Sequence, residues 1–292
     1  MNHVKRVTEL LGEEVVDSRE VAQGQVGIVL WIKDASGREL VAKFNGEHNE
    51  NLLIEARMLD DLFALADIPS PEVIARSSDC LIMPYVASHP GRESREAEEH
   101  AARCVANLHA YTPEDGRYGY SYDTLIGGLD QPNPKEDDWI TFFAQHRLLR
   151  MGRLCLERGR FGADVMQQLD ALAERLGDLI PEPREAGLVH GDLWGGNILW
   201  GKDSVAAFID PALYYADPEV EPPSGEDVKR GRRLCQDDRA PQCSDQDARQ
   251  QAAVRCLPRH DREQGQRPEP ESVGAGRLLA PLGSAEFRAG VV

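Results

Sequence analysis

Three side chains, Asp192, Asn197 and Asp210, have the chemical types and the spacing that phosphoryl transfer requires. In that reaction a carboxylate orients and deprotonates the attacking hydroxyl, and hard oxygen ligands hold Mg²⁺ on the phosphates. Asp192 and Asn197 stand five positions apart in a glycine-rich loop, and Asp210 ends an apolar run. We therefore interpret Asp192 as a candidate base, and Asn197 and Asp210 as candidate metal ligands.

A structural interpretation of the same loop stays open, because Asp and Asn often cap turns. For either Asp taken alone, turn capping and a chemical role are equally good explanations. The complete set favours chemistry, since protein kinases carry an Asp and an Asn at this spacing in one loop and a second metal-binding Asp after the next hairpin.

His190 precedes this loop and has three possible roles. It could be a base, a residue that pins the loop by hydrogen bonds, or an ordinary core histidine. We favour pinning and include it among the catalytic candidates, because Asp192 lies where a substrate hydroxyl must arrive. Trp194 either packs within the loop or faces the substrate, and the sequence leaves both open.

Lys43 and Glu55 are candidates for holding a nucleotide. Lys43 ends the stretch LVAK in a predicted strand, and Glu55 follows 12 residues later on a predicted helix, where it can pair with the lysine. A strand lysine alone is usually a surface residue. The downstream loop is what favours a nucleotide role here.

Two further segments belong to this candidate nucleotide site. QGQVG at 23–27 contains Gly24 and Gln25 and would cover the phosphates, although it has only two glycines. A strand end where two lobes should join offers backbone groups to an adenine edge. That strand end consists of Met83, Pro84, Tyr85 and Val86.

Apolar periodicity predicts the elements that position these residues. The first part of the chain indicates a small sheet with one helix: strands at 26–33, 39–44 and 80–86, and a helix at 50–65. The second part indicates helices at 93–112, 137–158 and 163–180, then short strands at 187–190, 197–200 and 205–209.

Composition limits the possible classes of protein. The net charge of −17 disfavours nucleic acid and anionic membranes as partners. No apolar run approaches the roughly 20 residues that span a bilayer, and the charged N-terminus does not resemble a secretory signal. We expect a cytoplasmic monomer. Its six cysteines have no Cys-x-x-Cys spacing, and we expect them to be reduced.

Composition changes abruptly near residue 220. Residues 221–292 contain 12 acidic and 12 basic residues, 11 of them Arg, and a single aromatic residue, Phe287. They also contain seven prolines. We therefore divide the chain into a nucleotide-binding lobe at 1–86, a catalytic lobe at 87–220 and an irregular tail at 221–292. Such a tail would leave the catalytic lobe incomplete and apolar surface on its helices exposed.

Several stretches resemble the fructosamine kinases, also called ketosamine 3-kinases, over about residues 7–220. They are LIGGLDQPN at 125–133, DW at 138–139, FFAQHRL at 142–148, HGDLWGGN at 190–197 and IDPALYYADPEV at 209–220. The GGxxQPN pattern and the loop tryptophan distinguish this group from aminoglycoside phosphotransferases and choline kinases.

The resemblance implies an α+β, protein-kinase-like fold of two lobes, with a small β-rich N-terminal lobe and a helical C-terminal lobe. It implies ATP and Mg²⁺ as cofactors and a small-molecule or protein-bound ketoamine as substrate. Phosphorylation of the sugar 3-hydroxyl would make the adduct labile and so repair glycated amines. By the same resemblance Asp192 is the base, Asn197 and Asp210 are metal ligands, and Lys43 holds the nucleotide.

Two features depart from the family pattern: the glycine-poor nucleotide loop, and the end of the resemblance at Val220. The tail looks like a shifted reading frame or an unrelated extension. Two alternatives therefore remain. One is a kinase of the aminoglycoside or choline type, and the other is an inactive remnant that binds nucleotide at most.

Overall fold

The computed structural model describes residues 3–221, apart from 25–26, 46–51, 66, 89–93, 182 and 184. Gln25 and residues 222–292 of the predicted tail lie outside the described residues, so the expectations for them stay predictions. Within the described ranges, no helix combines the length and the apolar character needed to cross a bilayer.

The first part of the described chain is an antiparallel sheet of five strands with two helices. In chain order these are α1 (His3–Leu11), β1 (Val15–Gly24), β2 (Gly27–Asp34), β3 (Glu39–Asn45), α2 (Leu52–Phe63), β4 (Ala75–Arg76) and β5 (Cys80–Pro84). Across the sheet the strand order is β1-β2-β3-β5-β4.

The predicted hairpin, helix and third strand are confirmed, whereas the prediction of a single helix is wrong. Helix α1 is the second helix, and strands β1 and β4 are absent from the prediction for a physical reason. Both strands are sheet edges, and β1 is largely polar, so neither has the run of branched apolar residues by which buried strands are recognised.

A side-chain turn sets the β2–β3 hairpin. The buried Asp34 carboxylate accepts hydrogen bonds from the Ser36 hydroxyl at 2.7 Å and from the Arg38 backbone N–H at 2.9 Å. Gly37 takes a φ of 89°, which disfavours side chains with a Cβ. This hairpin fixes the β2–β3 register, which places Lys43 opposite Val29 of β2.

Helix α2 contributes to two hydrophobic cores. Its Leu52, Ala56 and Leu59 pack against Leu81 and Met83 on one face of the sheet. A different side of the helix carries Met58 and Leu62, which belong to the core of the helical part. Helix α2 therefore packs against both parts of the molecule.

The second part is helical, with three two-stranded sheets in the described residues. In chain order its elements are α3 (Arg95–His109), β6 (Thr124–Ile126), β7 (Leu129–Gln131), α4 (Trp139–Phe143), α5 (Arg150–Glu157), α6 (Ala163–Glu174), α7 (Leu176–Leu179), β8 (Gly187–Val189), β9 (Ile198–Trp200), β10 (Val205–Phe208) and β11 (Tyr214–Ala216). β6 pairs with β7, β8 with β11, and β9 with β10.

The helix predicted over 137–158 is interrupted. A π-helical segment at Ala144–Leu149 separates α4 from α5, a kind of bulge that periodicity alone does not indicate. Within it the buried Arg147 guanidinium lies 4.6 Å from the Phe142 ring and 4.0 Å from the Tyr214 ring. The bulge thus turns a charged side chain inward against aromatic rings.

The apolar exposure expected on these helices is largely absent. Among the described residues from Trp139 to Ile180, one large apolar side chain is exposed, that of Leu179 at 39%. Trp139, Phe142 and Leu176 are fully buried. The buried side chains pack on one another and on the strands that follow, whereas most apolar side chains of α5 and α6 are partly exposed.

Candidate active site

Lys43 lies between two carboxylates that come from different parts of the chain. Its Nζ is 2.8 Å from Glu55 Oε2 on α2, and 3.1 Å from Asp210 Oδ1 just after β10. The lysine side chain is 11% exposed. Burial alone would lower the pKa of Lys43, but the carboxylates of Asp210 and Glu55 raise it above its usual value. The lysine is therefore a fixed positive charge.

The loop between β8 and β9 carries Asp192 and Asn197. The Asn197 amide Nδ2 donates to Asp192 Oδ2 at 2.9 Å and to the Asp192 backbone oxygen at 2.8 Å. Asn197 is buried at 2% exposure, so it holds the Asp192 carboxylate in one orientation. With Nδ2 turned to Asp192, Oδ1 is the Asn197 atom that can bind a metal.

Backbone hydrogen bonds join this loop to the segment that carries Asp210. Ile209 N donates to Asn197 O at 3.0 Å, and Ala212 N donates to His190 O at 2.7 Å. Asp210 itself has a φ of 53°, a left-handed conformation that is strained for a residue with a Cβ. The bonds on both sides of Asp210 hold that conformation.

His190 is 1% exposed, and both of its ring nitrogens face backbone groups. Nε2 donates to the Ile209 carbonyl oxygen at 3.1 Å, and Nδ1 accepts from the Asp192 backbone N–H at 3.4 Å. Burial lowers the pKa of His190, so the ring is neutral. This geometry fits a residue that pins the loop better than it fits a base.

Gly191 and Gly196 allow close approach within the loop. Gly191 has a φ of 83°, and a Cβ there would overlap the Ala212 carbonyl oxygen. A Cβ on Gly196 would overlap the indole ring of Trp194. The Trp194 ring therefore packs on the backbone of its own loop, and the residue remains partly exposed.

Glu221 is a site residue that the sequence analysis missed. It is 6% exposed and accepts hydrogen bonds from the backbone N–H groups of His190 at 2.8 Å and Gly191 at 2.9 Å. His109 Nε2 at the end of α3 lies 3.2 Å from Glu221 Oε2. The sequence analysis placed Glu221 in the tail at 221–292. The available signal was an acidic residue directly after IDPALYYADPEV, the last stretch that resembles the family.

The GGxxQPN pattern supports the Asp210 segment from the other side. Gln131 Nε2 donates to the Ala212 carbonyl oxygen and to Thr124 Oγ1, each at 2.9 Å. Asn133 donates to the same hydroxyl at 2.8 Å and accepts from Arg147 at 2.5 Å. All of these polar groups are buried, so the β6–β7 hairpin is a scaffold for the site.

The predicted nucleotide segments lie at strand ends of the five-stranded sheet. Gly24 pairs with Gly27 at the tip of the β1–β2 hairpin, and Gln25 is outside the described residues. β5 ends at Pro84, two residues before the predicted end. The Tyr85 backbone N–H donates to Glu39 O at 3.0 Å, so this group is committed to the neighbouring strand.

An oxygen set that fits Mg²⁺ can be drawn from these residues. The described part of the chain contains no cluster of three or more His, Cys, Asp or Glu suited to an ion. Mg²⁺ commonly takes only one or two protein oxygens and fills its other positions with water and phosphate. The Asn197 amide oxygen and the Asp210 carboxylate meet that requirement.

A small sheet bearing a lysine, and a helical part bearing a loop Asp and a second Asp, together form a kinase-like fold. A Thermobifida fusca protein assigned as a fructosamine-3-kinase superposes with a TM-score of 0.67 at 28% identity, covering 75% of this chain and 76% of that one. An aminoglycoside phosphotransferase solved with AMP-PNP and hygromycin B has a TM-score of 0.57 at 19% identity, covering 87% and 88%. The predicted α+β, two-lobe kinase-like fold is confirmed.

The chain belongs to the fructosamine kinase family, which matches residues 2–222. A protein of Vibrio cholerae named as a probable ketoamine kinase is 27% identical over 224 residues, covering 75% of this chain and 76% of the relative. An Escherichia coli K12 protein of the same description is 28% identical, covering 74% of each. Membership of a kinase family makes the chain a kinase-type phosphotransferase and implies ATP as the phosphate donor.

Proposed function

We propose that this chain phosphorylates the 3-hydroxyl of a ketoamine, a sugar joined to an amine, with ATP and Mg²⁺. The observation that carries the proposal is the fixed Asp192 carboxylate, which shares one hydrogen-bonded framework with the Lys43–Asp210 pair. Family membership supplies the acceptor class. The role that follows is repair of glycated amines in the cytoplasm.

Asp192 is the proposed base. As the substrate oxygen attacks the γ-phosphorus, its proton passes to the Asp192 carboxylate, the bond from the γ-phosphorus to the bridging oxygen breaks, and ADP leaves. Asn197 supports this assignment because it fixes the carboxylate from a buried position. His190 contributes by pinning the loop through Ile209 O.

Lys43, Asp210 and Asn197 are proposed to bind the charged end of the nucleotide. Mg²⁺ would supply charge neutralisation on the phosphates, held by Asp210 and the Asn197 oxygen. Lys43 would turn from Asp210 towards the phosphates, and Glu55 would keep it in place. Gly24 and Gln25 are proposed to cover the phosphates.

The adenine edge is proposed to meet the strand end at Met83, Pro84, Tyr85 and Val86. The Ile82 carbonyl faces β4, because it accepts from Ile74 N at 2.9 Å. Alternation along the strand turns the Pro84 carbonyl to the same side, away from β3. Since the Tyr85 N–H is committed to Glu39, we assign the adenine contacts to Pro84 O and Val86 N.

The metal assignment predicts a shifted Mg²⁺ requirement. In Asp210→Asn the site loses a negative charge but keeps an oxygen, so the half-saturating Mg²⁺ concentration should rise by about tenfold or more. The measurement is ATP turnover against free Mg²⁺. Asp203→Asn, an exposed acid in the β9–β10 turn, is the matched control and should match wild type. Unchanged Mg²⁺ dependence in Asp210→Asn would locate the metal elsewhere.

The acceptor class is tested with a panel of ribulosamines, fructosamines and aminoglycosides, with ATP. We expect ADP release with a ketoamine and, by phosphorus NMR, a new phosphate ester at its 3-position. Phosphate transfer to aminoglycosides alone would replace this function with the aminoglycoside type. Nucleotide binding without transfer to any acceptor would favour the inactive, nucleotide-binding alternative.

A further inference from the structure

A polar contact outside the catalytic residues joins the two parts of the molecule. Asp61 lies on α2, and its Oδ2 accepts hydrogen bonds from two tyrosine hydroxyls of the helical part, Tyr120 at 3.1 Å and Tyr122 at 2.6 Å. The Arg57 guanidinium lies 3.6 Å from the centre of the Tyr122 ring. We call Asp61, Tyr120 and Tyr122 the Asp61 latch.

The helix that carries Asp61 also carries Glu55, the partner of Lys43. The two acids are six residues apart on α2, so they face different directions around the helix axis. Glu55 faces the sheet, where its carboxylate holds Lys43. Asp61 faces the helical part, so any shift or rotation of α2 that moves one of them moves the other.

The tyrosine end of the latch is tied to the catalytic loop. Gly119 and Tyr215 exchange backbone hydrogen bonds at 3.0 and 2.8 Å, and the Tyr120 ring lies 5.7 Å from the Tyr215 ring. Tyr215 is in β11, which pairs with β8, the strand that enters the loop at His190. The latch therefore connects α2 to the frame that holds Asp192.

Apolar packing alone would leave α2 poorly fixed. The Met58 and Leu62 contacts with the core of the helical part are non-directional, so they resist separation better than sliding. Hydrogen bonds to a carboxylate are directional and stronger than neutral ones. Burial, and to a smaller extent the nearby Asp61 carboxylate, raises the pKa values of both tyrosines above the usual tyrosine value. Both hydroxyls therefore stay protonated and remain hydrogen-bond donors.

We propose that Tyr120 and Tyr122 are positioning residues for the nucleotide site, which act through Asp61 and α2 to keep Glu55 against Lys43. The inference rests on the proposed function in one respect, namely that Lys43 holds the nucleotide phosphates. The latch sets how well the lysine is aligned for nucleotide, and it does not touch substrate or metal.

The first test removes the two hydroxyls. In the double variant Tyr120→Phe/Tyr122→Phe, the dissociation constant for Mg²⁺–AMP-PNP, measured by calorimetry well below the melting temperature, should rise by about five- to tenfold. Tyr111→Phe, a partly buried tyrosine at the same core, is the control and should bind as wild type does. Equal affinity in the double variant overturns the proposal, and each single variant provides the same readout if the double one does not fold.

The second test separates positioning from general destabilisation. In a Glu55→Gln background, residue 55 no longer has the carboxylate that the Asp61 latch keeps against Lys43. Removing the two tyrosine hydroxyls in this background should therefore weaken nucleotide binding no further. Equal weakening in both backgrounds would mean that the tyrosines merely stabilise the fold, and would overturn the proposal.

Hydrogen exchange gives a readout that needs no ligand. Amides of α2 from Glu55 to Leu62 should exchange at least about fivefold faster in the double variant than in Tyr111→Phe. If wild-type protein does not bind Mg²⁺–AMP-PNP, the proposed function fails, and the exchange of α2 decides the latch separately. Unchanged exchange of α2 would overturn it.

Discussion

Asp192→Asn is expected to lower turnover by about 10²–10⁴-fold, the usual scale for loss of a general base. The amide is nearly isosteric with the carboxylate and can still accept from Asn197 Nδ2, as Asp192 Oδ2 does at 2.9 Å. The loop should therefore keep its shape and lose only the group that takes the proton. The measurement is single-turnover phosphoryl transfer with a ketoamine acceptor.

Nucleotide binding is the control for this variant. Lys43, Glu55 and Asp210 form their own ion-pair group, so the affinity of Asp192→Asn for Mg²⁺–AMP-PNP should stay within about twofold of wild type. Asp203→Asn should retain full turnover. Near-wild-type turnover in Asp192→Asn would eliminate Asp192 as the base.

The contact between Lys43 and Glu55 could be predicted because it depends on local rules. A lysine in an apolar strand and an acid 12 residues later on an amphipathic helix leave few other arrangements. The structure has that contact at 2.8 Å. The hairpins at Lys43 and at Asp210 are similarly encoded by short apolar runs with polar turns between them.

Contacts between segments that are distant in the chain could not be predicted from the sequence. The Asp61 latch joins residues 59 and 61 positions apart, and no periodicity links them. The π-helical bulge at Arg147 and the polar edge strand β1 were missed because both violate the patterns by which helices and buried strands are recognised. The sequence offered all the backbone groups of residues 83–86 for the adenine contacts. The strand register reduced these candidates, because it showed that the Tyr85 N–H is bonded to Glu39.

Glu221 illustrates a different failure. Composition averaged over 72 residues placed it with an Arg-rich segment, while its own side chain is buried against the loop at His190. A boundary drawn from composition has no resolution at the level of one residue. The family match, which extends to residue 222, includes Glu221 within the kinase-like part.

Glu221→Ala is expected to reduce both stability and turnover. Its removal leaves the buried backbone N–H group of His190 and the partly buried one of Gly191 without their acceptor, at a cost of up to about 1–3 kcal/mol for each group. For a protein of this size that corresponds to a drop in melting temperature of roughly 5–20 °C. Because these amides fix the start of the loop, turnover should fall by about 10²-fold or more.

The matched control is Glu219→Ala, an exposed acid two residues away, which should melt and turn over as wild type does. Glu221→Gln sharpens the test. Its amide offers one oxygen to two N–H donors that now bond two carboxylate oxygens, and it turns an NH₂ group towards the second donor. Glu221→Gln should therefore behave nearly as badly as Glu221→Ala. If instead both Glu221 variants retain wild-type melting and turnover, the other hydrogen bonds of the loop, such as those of His190 with Ile209 and of Asn197 with Asp192, are sufficient to hold it, and Glu221 is not a site residue.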